Sequence, residues 1–183
     1  DLVRSRGLGD VYKRQVQRLH DMLAADAILI CDSGMIDPQI PAITYGVRGI
    51  TSLEVQVRGP AHDMHSGMLG GAIDNPLNVL VRLLAQLHDP VSRRVAIPGF
   101  YDRVRPISDA ERTLLTSSPI TDEALLYLTG VPALAGEEGY SSAERMSVRP
   151  TLDINGIQGG FAGPGLKTVI PASAAAKVSM RLV

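Results

Sequence analysis

The sequence has few aromatic residues, one cysteine and no long apolar run. It contains no Trp and only two Phe among 183 residues, so a core must be built from aliphatic side chains. The single cysteine, Cys31, excludes an internal disulfide and fits a reducing compartment, which favours a cytoplasmic protein. No apolar run approaches the roughly 20 residues of a spanning helix, so we expect no membrane-embedded segment.

The charge is nearly balanced, at −1, and no basic stripe or run of like charge is present. Nucleic acid and anionic membranes are therefore not the expected partners. Hydrophobic residues make up 45% and charged residues 20%, which is typical of a globular protein. The length suits one domain, or a small domain with a piece of another.

The N-terminal stretch, residues 1–15, has no clear continuity with the rest of the chain and resembles translated sequencing-adapter read-through. The alternative is a solvated basic arm. We therefore exclude this stretch from the fold prediction. A helical rhythm begins after it, over residues 16–25, where Leu19, Met22 and Leu23 share one side.

A continuous apolar run over residues 27–31 ends abruptly at Asp32 and predicts a buried strand of an α/β sheet. A carboxylate at the end of such a strand is well placed to bind a cation, although many such aspartates only cap the next turn. His62 and His65 are three residues apart, but nothing nearby supplies a third metal ligand. The pattern alone leaves metal binding open.

A second group of elements begins near Gly49. Alternation of apolar and polar residues predicts a strand over residues 50–57. Asn75 and Pro76 then begin an amphipathic helix that continues to residue 87. Two later strands are predicted over residues 151–154 and 172–183, the second with apolar residues at Ala176, Val178, Met180 and Leu182.

Residues 91–150 differ from their surroundings, with short helical segments at 108–116 and 121–128 among Pro, Gly and polar residues. We predict an insertion within the domain, because it retains bulky side chains that can pack: Phe100, Tyr101, Leu125, Tyr127 and Leu134. The order of elements predicts a small α+β sandwich, with an antiparallel sheet and helices on one face.

Four polar residues besides Asp32 are candidates for chemistry. His65 can donate a hydrogen bond to an oxyanion, although a loop histidine bonded to a nearby carbonyl is commoner. Asn155, in a turn-rich patch after a strand, either binds substrate or stabilises its own turn. Arg181 either holds a carboxylate through its planar fork or is an outward-facing strand residue. Thr168 follows Lys167 in a segment without the spacing of a phosphate loop.

Several motifs in order carry a resemblance to a known family. They are DMHSG at residues 63–67 and GLKTVIP at 165–171, both expected on loops, and RLV at 181–183. These segments resemble the substrate-gripping lid of the carnosinase, aminoacylase and glutamate carboxypeptidase family of dinuclear zinc metallopeptidases. The insertion, with PGFYD at residues 98–102, most resembles the dipeptidase branch.

The resemblance implies a role for each candidate. Asp32 would bind one of two divalent metal ions, zinc with manganese or cobalt as alternatives, and the other ligands would lie outside this chain. His65 would reach the active site of the partner subunit and stabilise the oxyanion. Thr168 and Asn155 would contact the substrate, and Arg181 would hold its carboxylate.

The resemblance also implies a domain plan. Residues 16–46 would end a larger α/β zinc-binding domain, and residues 47–183 would form a lid and dimerisation domain with its insertion at about 91–150. The expected function is that of an inactive fragment of a homodimeric dipeptidase, which acts on dipeptides with a free C-terminal carboxylate. The alternatives are an acyl-amino-acid deacylase of the same family and a non-catalytic homodimerisation module.

Overall fold

The computed structural model describes residues 8–27, 39, 44 and 46–183, and it divides into two compact units, residues 1–35 and 36–183. In the first unit, helix α1 spans Leu8–Arg18 and a turn covers residues 19–23. The predicted helix over residues 16–25 is wrong in its bounds. Good helix formers such as Lys13, Arg14 and Gln15 start it earlier, and Leu19, Met22 and Leu23 are exposed. The strand predicted at 27–31, beyond Ala27, lies outside the described residues, as does Asp32.

The second unit contains five strands and five helices among its described residues. The strands are β1 Gly49–Arg58, β2 Met64–His65, β3 Thr151–Gly159, β4 Val169–Ile170 and β5 Ser173–Leu182. The helices are α2 Ser66–Leu69, α3 Pro76–Ala85, α4 Asp109–Thr116, α5 Asp122–Thr129 and α6 Ser142–Ser147. No helix in the described part of the chain is long and apolar enough to cross a bilayer.

An antiparallel sheet of three strands, in the order β1–β5–β3, is the centre of this unit. A second, separate sheet pairs β2 with β4. The predicted mixed fold with an antiparallel sheet is confirmed, and so are α3, α4 and α5. Helix α6 was missed, although Ser141 and Glu144 form the capping box that marks its start.

The core lies between α3 and one face of the sheet. Leu80 and Leu84 of α3 are buried against four alternate residues of β5, namely Ala174, Ala176, Val178 and Met180. Asn75 begins α3 as predicted, because its side chain accepts a hydrogen bond from the Leu77 amide and Pro76 is the next residue. The apolar residues at every second position of β5 therefore form one buried face.

The opposite face of the sheet, here called the open face, carries the intervening residues. Alternation assigns to it Ile50, Ser52, Glu54, Gln56 and Arg58 of β1, and Ser173, Ala175, Lys177, Ser179 and Arg181 of β5. Most of these side chains are polar and exposed. The open face is therefore available to a ligand or to another part of a larger protein.

A buried ion pair fixes the insertion. The Glu137 carboxylate accepts hydrogen bonds from Arg149 Nε at 2.7 Å and Nη2 at 2.8 Å, and from Arg94 Nη1 at 2.6 Å. The Arg149 guanidinium lies 4.2 Å from the centre of the Tyr140 ring. Its hydrogen bonds with Glu137 raise the pKa of Arg149. Glu137 thus connects Arg94 and Arg149, which lie near the two ends of the insertion.

The aromatic residues of the insertion divide into two groups. Phe100 and Tyr101 pack against the core as predicted, with their rings 5.2 Å apart in an edge-on arrangement. Tyr127 does not pack, since 93% of it is exposed. The prediction failed there because Tyr127 lies on the outer side of α5, where an apolar ring meets solvent.

Candidate functional site

The structure brings together two motifs that are about a hundred residues apart in sequence. Strands β2 and β4 pair so that Met64 faces Ile170 and His65 faces Val169. The Ser66 amide donates to the Thr168 carbonyl oxygen at 3.1 Å. Ile170 is buried, with 2% exposure, and so anchors the pairing to the interior. The expectation that both motifs lie wholly on loops is wrong, because two-residue strands are too short to show any period.

The ring of His65 is held between the backbone and Thr168. Its Nδ1 accepts a hydrogen bond from the Gly67 amide at 3.0 Å, which places the proton of the neutral ring on Nε2. The Nε2 atom lies 3.3 Å from Thr168 Oγ1. Thr168 Oγ1 therefore accepts a hydrogen bond from Nε2–H. His65 presents a donor, as oxyanion stabilisation requires.

Asp63, the first residue of the DMHSG motif, has a structural role that the sequence analysis missed. Asp63 Oδ1 accepts a hydrogen bond from the Ala172 amide at 2.9 Å. The Gly59 amide donates to the Ala172 carbonyl oxygen at 2.8 Å. These bonds tie the His65 loop to the start of β5. The signal was available, because a short acidic side chain beside a turn commonly accepts from the backbone.

Gly67 is required by the position of the His65 ring. A Cβ on Gly67 would lie 2.7 Å from His65 Cε1 and 3.0 Å from Nδ1. We predict that Gly67→Ala displaces the His65 ring and breaks the hydrogen bond from the residue 67 amide to Nδ1, because the added Cβ and the ring cannot occupy the same space. Stability should change little, since the exposed ring can move.

Nitrogen-15 NMR of the imidazole and a thermal melt check the Gly67 prediction, since the Nδ1 resonance should shift when its hydrogen bond is lost. The matched control is Gly46→Ala, where a Cβ would meet nothing within 4 Å. A Gly67→Ala variant with the imidazole spectrum of the wild type would show that the ring does not move.

Asn155 lies within β3 and not in a turn after it. The register of β3 on β5 shifts between Ile154 and Gly156, so Asn155 is the extra residue of a β-bulge. The predicted turn is wrong because the strand continues to Gly159. The bulge leaves Asn155 exposed about midway along β3, an edge strand, with its amide side chain free of any partner among the described residues.

Arg181 is far from His65 and Thr168. It lies near the end of β5, opposite Ile50 of β1 and Thr151 of β3. The His65 loop adjoins the other end of β5, at Ser173. A rise of about 3.3 Å per residue puts Ser173 and Arg181 about 26 Å apart. A dipeptide spans only about 7 Å when fully extended, so one molecule cannot contact both groups in the same chain.

The described residues contain no group of three or more His, Cys, Asp or Glu side chains that could hold a metal ion. Asp32 remains a prediction, because it lies outside the described residues, and so do the substrate-binding roles of Asn155, Thr168 and Arg181.

Comparison with known proteins assigns the family. The sequence pattern of the peptidase dimerisation domain matches residues 45–183. The chain belongs to the peptidase dimerisation domain family. The match covers every described strand and all but one of the described helices. It confirms the family resemblance that the motifs at residues 63–67 and 165–171 indicated.

The relatives of this peptidase dimerisation domain include dipeptidases. A Cys-Gly metallodipeptidase of Candida albicans is 33% identical over 179 residues, which cover 98% of this chain and 36% of the relative. Human carnosine dipeptidase 1 has a TM-score of 0.78 at 32% identity, covering 99% of this chain and 37% of that one. A metallo-carboxypeptidase of Sulfolobus solfataricus has a TM-score of 0.79 at 31% identity, covering 93% and 44%. The chain thus spans between a third and a half of each relative.

Proposed function

We propose that the complete protein is a metal-dependent dipeptidase that works as a homodimer, with this chain as its lid and dimerisation domain. The observation that carries the proposal is the separation of about 26 Å between the His65 end and the Arg181 end of β5. Two groups that must contact one small substrate cannot do so from one chain. A second copy in the opposite orientation would supply the missing half of each site.

Each side chain has a chemical task under this proposal. Arg181 holds the C-terminal carboxylate of the dipeptide through paired, charge-assisted hydrogen bonds. His65, from the partner subunit, donates a hydrogen bond from Nε2–H to the oxygen that becomes negative when the amide carbonyl is attacked. Thr168 accepts that hydrogen bond in the absence of substrate and contacts the substrate backbone when substrate binds. Asn155 would donate from the bulge to a substrate oxygen.

The metal centre belongs to the rest of the protein. We propose two divalent ions, zinc or else manganese or cobalt, with Asp32 as one ligand and the others outside this chain. Such ions, when bound, supply an activated water near neutral pH. The names of two relatives support metal dependence, since they are a metallodipeptidase and a metallo-carboxypeptidase. The single cysteine and the balanced charge favour a cytoplasmic enzyme without nucleic acid or membrane partners.

The proposal is tested on the complete protein with a dipeptide and with the same dipeptide as its C-terminal amide. We expect hydrolysis of the free acid to stop on chelation and to return with a divalent ion. Arg181→Gln should raise KM for the free acid by about 30- to 100-fold, because a charge-assisted pair is lost. KM for the amide should stay the same.

Other outcomes would identify the rival functions. Preference for N-acyl amino acids over dipeptides would favour the deacylase. Absence of any metal-dependent hydrolysis would leave a dimerisation module without chemistry. An unchanged KM in Arg181→Gln would remove Arg181 from the carboxylate site. Arg103→Gln, a change at an exposed loop residue, is the control.

A further inference from the structure

Arg48 connects the two edge strands of the main sheet across the end of β5. It lies one residue before β1 and is half-buried. Its Nη1 donates to the carbonyl oxygen of Arg149 at 3.1 Å and to that of Arg145 at 3.3 Å. Arg149 shortly precedes β3, and β5 runs between β1 and β3. The Arg48 side chain therefore reaches over the end of the central strand.

Arg181 is the neighbour of Arg48 on the open face. Arg181 pairs with Ile50, and alternation puts Arg48 on the same side of β1 as Ile50. This makes Arg48 and Arg181 diagonal neighbours, a separation that long side chains bridge. The pKa of Arg48 is lowered by burial and then by the charge of Arg181, while Asp153 opposes this change. The two guanidinium groups thus lie close enough to repel each other.

The two residues use their donors differently. Arg48 donates to backbone carbonyl oxygens next to the opposite edge strand, β3. The Arg181 side chain makes no hydrogen bond or ion pair with any of the described residues, and it is exposed. Without Arg48, the carbonyl oxygens of Arg145 and Arg149 would be open acceptors beside Arg181. A guanidinium group readily donates hydrogen bonds to such acceptors, because it is only weakly hydrated.

We propose that Arg48 is a positioning residue for Arg181. Arg48 donates hydrogen bonds to the two carbonyl oxygens, so that Arg181 cannot, and it repels the Arg181 guanidinium. Both effects keep the Arg181 side chain directed away from the sheet, where a substrate carboxylate can reach it. This inference rests on the proposed role of Arg181. It assigns a role in the site to Arg48, which the sequence alone does not single out.

A double-mutant cycle on the complete protein tests the inference. Arg48→Gln should raise KM for the free-acid dipeptide about tenfold, with kcat within about twofold, because only the carboxylate contact is weakened. In an Arg181→Gln background, Arg48→Gln should change KM by less than about twofold. Arg48→Lys should restore the KM of the wild type, since one ammonium group can donate to both carbonyls while keeping the charge.

Three results would overturn the inference. An equal effect of Arg48→Gln with and without Arg181 would show that the two residues act independently. A lower kcat and melting temperature at unchanged KM would show a structural role alone. An unchanged KM in the Arg181→Gln single variant would instead remove the proposed carboxylate contact itself, and the inference with it. The cycle separates this last result from the first two.

A second variant covers the case in which Arg48→Gln does not fold. Asp153 faces Ser179 on the same face and offsets the charge of Arg48. Asp153→Asn should lower KM for the free acid about two- to threefold, since it makes the surroundings of Arg181 more positive. KM for the amide should not move. An unchanged KM for the free acid would contradict the proposed grouping of Arg48, Asp153 and Arg181 on one face of the sheet.

Discussion

His65→Ala is expected to lower kcat of the complete enzyme by about 10² to 10³-fold, the usual loss when one oxyanion donor is removed. The Nδ1 bond to the Gly67 amide fixes the donor on Nε2, and Ala has no replacement. KM should change little, because the donor acts mainly on the charge that develops in the transition state. Steady-state kinetics on purified dimers measure both parameters.

Thr168→Val is the companion variant to His65→Ala. It removes the hydroxyl that lies 3.3 Å from His65 Nε2 but leaves the imidazole donor in place. We expect a smaller loss of kcat than for His65→Ala. A His65→Ala enzyme with the kcat of the wild type would show that another group stabilises the oxyanion.

Glu137→Gln is expected to lower the free energy of unfolding by about 3 to 5 kcal/mol, the usual cost of breaking a buried ion pair from one side. Arg149 keeps its charge in a buried position, where its side chain is 6% exposed, and faces a neutral amide. Chemical denaturation followed by circular dichroism measures the change.

The control for Glu137→Gln is Arg105→Gln. Arg105 pairs with Glu111 at the surface, where 73% of the Arg105 side chain is exposed. Exposed pairs contribute little, so the unfolding midpoint should stay within experimental error. Equal losses in the two variants would show that burial of the Glu137 pair adds nothing to stability.

The elements that the sequence predicted correctly carry strong local signals. The alternation in β5 reports burial on one face, and Asn75 with Pro76 marks the start of α3 whatever the rest of the chain does. The family was also predicted correctly from the sequence, because each of its motifs is a short, contiguous segment. Local pattern and resemblance were sufficient for these parts.

The parts that failed depend on pairing between distant segments. A bulge exists only in the register of one strand on another, so nothing around Asn155 revealed it. The contact between His65 and Thr168 needs two strands of two residues each, which show no period. The Arg48 side chain crosses the end of β5 to reach the Arg149 carbonyl oxygen, and β5 follows both residues by more than 20 positions in the sequence.

The central claim is that each active site takes His65 from one subunit and Arg181 from the other, and mixing two impaired variants, assayed with substrate well below the wild-type KM, tests it most directly. His65→Ala and Arg181→Gln dimers are dissociated, mixed in equal amounts and reassembled. About half of the dimers are then mixed, each with one intact site, so we expect about a quarter of the wild-type activity. If both groups served the same site from one chain, no mixed dimer would hold an intact site. Activity that stays at the level of the separate variants would contradict the account.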